Sequence, residues 1–235
     1  MQNIIIASTS TIHGSGYLDY ILDELTVFFK NVDTILFIPY ARPSGISHDD
    51  YTEKVSNAFK KINKSVLGIH SFENPVEAIN NAEAIFVGGG NTFVLTYQLY
   101  KNNITEVLKN VVKGGTPYLG TSAGSNICGL TIKTTNDMPI VYPPNFNALA
   151  LVPFNINPHY LDPNINSEHM GETRETRIKE FHNFNTPPVI GLREGSWLKV
   201  EGNSIILKGH LAARIFEYNK MPYEVNPETE LNHLK

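Results

Sequence analysis

A short strand that runs into a G-x-S-x-G motif decides the fold, and it reads Thr116-Pro117-Tyr118-Leu119-Gly120-Thr121-Ser122-Ala123-Gly124. This motif is typical of a sharp strand-to-helix turn, in which the central serine adopts a strained backbone conformation and glycines occupy the crowded positions two residues away. We therefore predict that the Ser122 hydroxyl stands clear of the edge of a sheet. The backbone N–H of Ala123, at the start of the next helix, should be free to donate to a negatively charged oxygen. A glycine-rich turn that only packs closely is the alternative interpretation.

Apolar runs alternate with amphipathic stretches on both sides of this motif. Strands are predicted at residues 3–7, 33–39, 65–70, 84–87, 116–119 and 188–192, and helices at 17–30, 50–62, 75–81, 92–101, 104–112, from about 123, and at 171–182. Pro- and Asn-rich segments at 136–147 and 155–166 predict loops, and residues 201–204 predict a hairpin. Such alternation is typical of βαβ units. We expect one α/β domain over residues 1–235, with a three-layer, mostly parallel sheet and helices on both faces.

The composition argues against several classes of partner. The 19 Lys and Arg nearly balance the 23 Asp and Glu, and no long run of like charge is present, so the sequence predicts neither nucleic-acid nor membrane binding. Cys128 is the only cysteine, which excludes an intramolecular disulfide and a multi-cysteine metal site. The first residues lack the pattern of a signal peptide, and no apolar run reaches the length of a membrane span. A cytoplasmic location is therefore expected.

A second glycine cluster, Gly88-Gly89-Gly90-Asn91, ends the strand before the serine motif and leads into a helix. In a doubly wound sheet this loop and the serine turn lie side by side at the carboxyl ends of their strands, which is where such folds bind ligands. An N–H from Gly89 or Gly90, together with that of Ala123, would form a two-donor oxyanion hole. Asn91 is in the position of a helix cap, and that role is compatible with this site.

A serine hydroxyl needs a neighbouring base, so a histidine is required. His159 is the favoured candidate, because it follows the strand-like residues 152–157 at a Pro-His-Tyr break. His13 and His48 also follow predicted strands and stay open as alternatives. The carboxylate that orients the base is either Asp137, in a Pro/Asn-rich loop, or Glu194, which follows the strand at 188–192.

Five motifs together resemble the α-aspartyl dipeptidases, known as the peptidase E family of serine peptidases. In order and spacing they are GGGNTF at 88–93, TSAG at 121–124, TTNDMPIV at 134–141, NPH at 157–159 and GETRE at 171–175. The match covers nearly the whole chain. It implies a fold related to class I glutamine amidotransferases, with Ser122 as nucleophile and His159 as base, and it leaves both Asp137 and Glu194 as the acid.

The resemblance also implies a substrate, namely dipeptides with an N-terminal aspartate, cleaved without a metal or cofactor. An enzyme that requires aspartate must pair its β-carboxylate, and the bidentate guanidinium of Arg174 is the favoured partner. Asn91 is a second candidate for substrate binding, and Thr11 and His13 are the alternatives to Arg174. The closest rival is an isoaspartyl or cyanophycin-type peptidase with the same serine apparatus. The oligomeric state stays open, with a homodimer as one form.

Three other kinds of site have weaker support. A nucleotide-binding module would use Gly14-Ser15-Gly16, but Asp19 replaces the third glycine of the dinucleotide fingerprint and no phosphate loop is present. A glutaminase needs a thiol in the turn, whereas Cys128 comes six residues later and is expected to be a buried helix residue. A zinc site from His159, Asp162 and His169 lacks the usual ligand spacing.

Overall fold

The structure is a computed structural model that describes residues 1–164, 166, 168 and 170–234. Its strands are β1 (Asn3–Ala7), β2 (Thr34–Ile38), β3 (Ser65–Gly68), β4 (Ala84–Val87), β5 (Tyr118–Thr121), β6 (Asn155–Pro158), β7 (Val189–Leu192), β8 (Ser196–Glu201), β9 (Ser204–Gly209), β10 (Ala213–Phe216) and β11 (Tyr223–Val225). Its helices are α1 (Leu22–Phe28), α2 (His48–Phe59), α3 (Pro75–Asn80), α4 (Thr92–Lys101), α5 (Thr105–Gly114), α6 (Ala123–Asn126) and α7 (Arg174–Phe181).

The larger sheet has the strand order β3-β2-β4-β5-β1-β8-β9. The first five of these strands are parallel, and β8 and β9 are antiparallel to their neighbours. The turn between β8 and β9 pairs Glu201 with Ser204, which confirms the predicted hairpin. The serine turn follows β5, which lies between β4 and β1 near the middle of the sheet.

Helices cover both faces of this sheet, as the sequence predicted. Alternate residues of β1 point to opposite sides: Ile4 and Ile6 pack in one apolar cluster, and Ile5 and Ala7 in another. Buried residues of α3, α4 and α5 belong to the first cluster, and those of α1 and α2 to the second. The fold is therefore the expected three-layer α/β arrangement.

A smaller sheet, in the order β11-β10-β7-β6, was not predicted. Its strand β6 is buried at every position. This confirms the strand-like character expected within residues 152–157, whereas the loop predicted over 155–166 is wrong for residues 155–158. Proline and asparagine usually indicate loops, but here the Asn155 and Asn157 amides bond within the fold, to Thr131 and to the segment at 134–136. Strands β6 and β7 are parallel neighbours, and this pairing brings the ends of both strands to one place.

Two helices begin later than predicted, at Leu22 and Arg174. Leu18 has a left-handed conformation with φ of 61°, so a 3₁₀ turn precedes α1 and regular helix starts at Leu22. The side chain of Thr173 caps α7 by accepting from Thr176 N, which places Arg174 at the first helical position. Within the described residues, no helix has the length and apolar character needed to cross a bilayer.

Candidate active site

The backbone at Ser122 has the strained geometry that the serine motif predicted. Its φ of 54° and ψ of −110° lie in a sparsely populated region that costs on the order of 1–3 kcal/mol and occurs mainly at functional sites. The turn is also crowded, because a Cβ atom at Gly124 would collide with the Val87 carbonyl oxygen. The following helix, α6, is only one turn long, so the local N–H of Ala123 matters more here than a long helix dipole.

A chain of hydrogen-bonding contacts links Ser122 to His159 and Glu194. Ser122 Oγ lies 2.8 Å from His159 Nε2, and His159 Nδ1 lies 2.7 Å from Glu194 Oε1. When Nδ1–H donates to the carboxylate, Nε2 is free to accept the serine proton. This is the arrangement of nucleophile, base and orienting acid found in serine hydrolases on unrelated folds.

The two sheets together bring these residues to one point. Ser122 follows β5 of the larger sheet, whereas His159 and Glu194 follow β6 and β7 of the smaller one. His159 has a φ of 54°, and its backbone N–H donates to Ser8 Oγ at 2.9 Å. The buried Ser8 hydroxyl in turn donates to Leu192 O at 2.7 Å. Ser8 therefore holds the end of β6 against the end of β7.

The glycine cluster lies beside the nucleophile. A Cβ atom added to Gly89 would be 2.9 Å from Ser122 Cβ, so only glycine fits there without displacement. Tyr51 Oη donates to the Gly89 carbonyl at 3.3 Å and fixes the direction of that peptide. Among the residues that the structure describes, the N–H groups of Gly89, Gly90 and Ala123 have no hydrogen-bond acceptor. These donors are available to an oxyanion.

Asp137 takes a different position from Glu194. Its Oδ2 accepts from the backbone N–H of Thr92 at 2.7 Å and from Thr135 Oγ1 at 3.0 Å, at the start of α4. Asn91, one residue earlier, caps the same helix by accepting from Val94 N and also donates to Met138 O. Asp137 and Asn91 thus fix residues 134–139 against the helix that follows the glycine cluster, and His159 has Glu194 as its carboxylate partner.

Arg174 is a partly buried cation near this loop. Burial and, to a lesser degree, the neighbouring Arg177 lower the pKa of Arg174, while the Asp137 carboxylate acts in the opposite direction. In the described part of the chain Arg174 forms no ion pair, whereas Arg177 contacts Glu172 at 3.8 Å. Arg174 also lines a cavity of about 350 Å³ between residues 161–164 and the start of α7. A larger cavity of about 570 Å³ lies at the far edge of the sheet, away from every candidate residue.

Comparisons with known proteins decide the family. The sequence profile of peptidase family S51 matches residues 4–208. The chain belongs to peptidase family S51. It is 47% identical over 233 residues to peptidase E of Streptomyces coelicolor, covering 99% of this chain and 95% of that one. It is 45% identical over 236 residues to a Drosophila melanogaster protein named "Probable alpha-aspartyl dipeptidase", covering 99% and 97%.

A solved structure agrees with the fold of this S51 peptidase. The crystal structure of a peptidase from an acI-B1 actinobacterium superposes with a TM-score of 0.71 at 14% identity, covering 98% of this chain and 96% of that one. At that identity the likeness shows the fold alone, and it agrees with a class I glutamine amidotransferase-like arrangement. Family membership makes the chain a serine-type peptidase, as its resemblance to the peptidase E family implied.

The alternative bases, His13 and His48, and the alternative nucleophile, Cys128, are not part of the contact chain of Ser122, His159 and Glu194. His48 packs between the rings of Tyr40 and His70, with centroids 5.4 and 5.3 Å away, and His13 is exposed on the loop after β1. Cys128 is buried, but it lies in the turn after α6 rather than in a helix, with its thiol on the Gly124 carbonyl oxygen. Burial raises the pKa of that thiol to about 12, which leaves it inert as a nucleophile.

The residues of the alternative zinc and nucleotide sites either make other contacts or lie outside the described residues. His169 lies outside the described residues, His159 is engaged by Ser122 and Glu194, and Asp162 is held by Arg193. Over the described ranges, no group of three His, Cys, Asp or Glu side chains could hold a metal ion. Gly14 and Gly16 belong to the loop after β1, where a Cβ atom at Gly16 would collide with the Asp19 carboxylate. The Asp19 carboxylate therefore occupies the space beside Gly16, the second glycine of the motif.

Sequence reasoning missed Ser8 and Tyr51, which support the S51 site from distant parts of the chain. Ser8 directly follows β1, and its place at a strand end beside the serine turn was a usable signal. Tyr51 lies in α2, its ring packs edge to face against that of Phe37 with centroids 4.9 Å apart, and its hydroxyl reaches Gly89 O. Nothing in the local sequence around Tyr51 indicates that contact.

Proposed function

We propose that the chain hydrolyses dipeptides with an N-terminal aspartate through an acyl-enzyme on Ser122. The observation that carries this proposal is the contact chain from Ser122 through His159 to Glu194, in a chain of family S51. The names of its relatives, peptidase E and alpha-aspartyl dipeptidase, support the choice of substrate.

The contacts suggest a role for each residue of the reaction. His159 Nε2 accepts the Ser122 proton as the oxygen attacks the peptide carbonyl, and Glu194 keeps Nδ1–H in place and stabilises the imidazolium that forms. The N–H groups of Ala123 and of Gly89 or Gly90 donate to the oxyanion. His159 then gives its proton to the leaving amine. Water, activated by the same imidazole, releases the aspartate from the serine ester.

Arg174 supplies the specificity in this proposal. Arg174 is a partly desolvated guanidinium with no ion pair to any residue that the structure describes, and such a group gains more from an incoming carboxylate than a hydrated surface arginine does. Asp137 and Asn91 act indirectly, because their side chains hold residues 134–139 on α4 and so shape the same side of the pocket. The longer side chain of glutamate would push the scissile carbonyl away from the oxyanion donors.

The remaining elements of the proposal follow from the serine mechanism. The reaction needs no metal or cofactor, its partner is a small peptide, and neither nucleic acid nor membrane takes part. A cytoplasmic site of action, a single domain over residues 1–235 and a homodimer stay predictions.

The decisive test is the linkage of the substrate. Purified enzyme should hydrolyse Asp-Leu, while its β-linked isomer and Asn-Leu should react far more slowly. Faster hydrolysis of the β-linked isomer would replace this proposal with an isoaspartyl peptidase. Absence of both activities, with the chain folded, would remove the aspartyl substrate class altogether.

A further inference from the structure

Arg193 makes an unusually complete set of contacts beside the site. A guanidinium has five N–H donors in a planar fork. In Arg193, Nε and Nη2 donate to the two Asp162 oxygens at 2.8 and 2.7 Å, and Nη1 and Nη2 donate to the two Glu224 oxygens at 2.8 and 3.0 Å. Nη1 also donates to Ala212 O at 2.6 Å. All five donors are therefore used.

These contacts join the segments that carry the base and its acid. Arg193 immediately precedes Glu194 in the chain, and Asp162 comes three residues after His159. The guanidinium also lies over the ring of Tyr160, 5.5 Å from its centroid. Glu224 belongs to β11 at the edge of the smaller sheet. One side chain thus connects the segments after β6 and β7 to the edge strand β11 and to Ala212, which directly precedes β10.

We infer that Arg193 is a positioning residue, which holds Glu194 and the segment after His159 so that the carboxylate meets His159 Nδ1. This inference rests on the proposed function. Glu194 itself is half exposed and lies in the turn between the two sheets, so its own surroundings do little to fix its position. The adjacent Arg193 side chain is largely buried, with 16% of its surface exposed. A fork held at five points is rigid in a way that a single ammonium contact is not.

Replacement by methionine removes the fork but keeps much of the apolar volume. In Arg193→Met, Glu224 retains Arg214 as a partner, with Nη1 to Oε1 at 3.0 Å, and only Asp162 loses its cation. We expect kcat for Asp-Leu to fall on the order of 10²-fold, the size typical of a displacement of about 1 Å in a catalytic group. Phosphonylation of Ser122 by a small fluorophosphonate, which does not require aspartate recognition, should slow in parallel. Arg193→Lys should fall between wild type and Arg193→Met.

Lys199→Met is the matched control. Lys199 is a similarly buried cation, with 22% of its surface exposed, and it contacts two carboxylates, Glu24 at 3.1 Å and Glu201 at 3.3 Å. It lies in the middle of β8, paired with Ile5 of β1, and belongs to no part of the proposed site. Its loss should lower the unfolding midpoint to a comparable degree while leaving kcat close to that of wild type.

A double-mutant cycle with Glu194→Gln separates positioning from general stability. If Arg193 acts through Glu194, Arg193→Met should have little further effect on kcat once Glu194 is an amide, because the two losses are not additive. An equal loss in both backgrounds, or an equal loss in Lys199→Met, would overturn the inference. If Arg193→Met does not fold, the same cycle is run with Arg193→Lys. If Ser122→Ala retains activity, the proposed function is wrong. If Ser122→Ala is inactive but Arg193→Met has the kcat of wild type, only the inference about Arg193 is wrong.

Discussion

Glu194 Oε1 lies 2.7 Å from His159 Nδ1, although 35 residues separate the two in the chain. The contact exists because β6 and β7 are parallel neighbours in register, with Pro158 opposite Leu192, so that the residues just beyond both strands meet. Asp137 is in the loop that precedes β6, and its Oδ2 is occupied by Thr92 N and Thr135 Oγ1. Glu194 therefore contacts the base His159, whereas Asp137 contacts the start of α4.

The first prediction separates these two acids. Glu194→Gln should lower kcat on the order of 10⁴-fold, because an amide no longer fixes the tautomer and charge of the imidazole. Asp137→Asn should have a much smaller effect, since it weakens the capping contact at Thr92 and leaves His159 in place. The measurement is kcat for Asp-Leu in both variants at the same pH. A crippled Asp137→Asn beside a mild Glu194→Gln would show that Asp137 orients the base.

The second prediction concerns Arg174 and the aspartate side chain. Arg174→Met should lower kcat/KM for Asp-Leu. The loss of transition-state stabilisation should be about 3–5 kcal/mol, which is the loss expected when one partner of a desolvated ion pair is removed. Reactivity toward Asn-Leu should change little. The measurement is the ratio of kcat/KM for Asp-Leu to that for Asn-Leu.

Arg177→Met provides the control for this experiment, because Arg177 is on the same helix but more exposed, in contact with Glu172 at 3.8 Å. Its substrate ratio should match that of wild type. A wild-type ratio in Arg174→Met as well would mean that Arg174 does not recognise the aspartate, and Thr11 or His13 in the loop after β1 would become the next candidate.

The third prediction is a pH dependence of stability. Hydrogen bonds from Arg193 hold the pKa of Asp162 and of Glu224 below their usual values. A carboxylate whose pKa is lower in the folded state contributes stability above its unfolded pKa, roughly 4, and loses it as the pH falls through the folded value. The difference in unfolding free energy between wild type and Arg193→Met should therefore be largest near neutral pH.

Urea unfolding at several pH values between about 7 and 3 measures this difference. The gap should shrink on acidification, and at neutral pH added salt should reduce it, because both carboxylates are partly exposed and screened. A gap that stays constant or widens at low pH would show that the two carboxylates do not draw their stability from Arg193.

Much of the larger sheet could be predicted from local sequence. Apolar runs such as Ala84–Val87 have the length and the β-branched residues that indicate strands buried on both faces. The motif from Gly120 to Gly124 marks the turn that holds Ser122. Position at a strand end also pointed to His159. These features depend on neighbours in the chain, so the sequence alone contains the necessary information.

The smaller sheet could not be predicted in the same way. Strand β6 contains two asparagines and ends in a proline, and the buried Asn157 side chain donates to residues some 20 positions away. Residues 152–157 are strand-like, but the Pro and Asn content also favours a loop from residue 155, and tertiary hydrogen bonding decides in favour of the strand. For the same reason the choice between Asp137 and Glu194 stayed open, because the register of β6 with β7 is a long-range property. Ser8 and Arg193 act through contacts of this kind as well.

The serine mechanism itself is tested most directly by Ser122→Ala. With Asp-Leu as substrate, kcat should fall by several orders of magnitude, on the order of 10⁶-fold by analogy with other serine peptidases. The residual rate would reflect binding and the oxyanion donors alone. The wild-type enzyme should keep full activity in EDTA, since no step of the proposed reaction uses a metal. Near-normal hydrolysis of Asp-Leu by the folded Ser122→Ala variant, or loss of wild-type activity on chelation, would contradict the account.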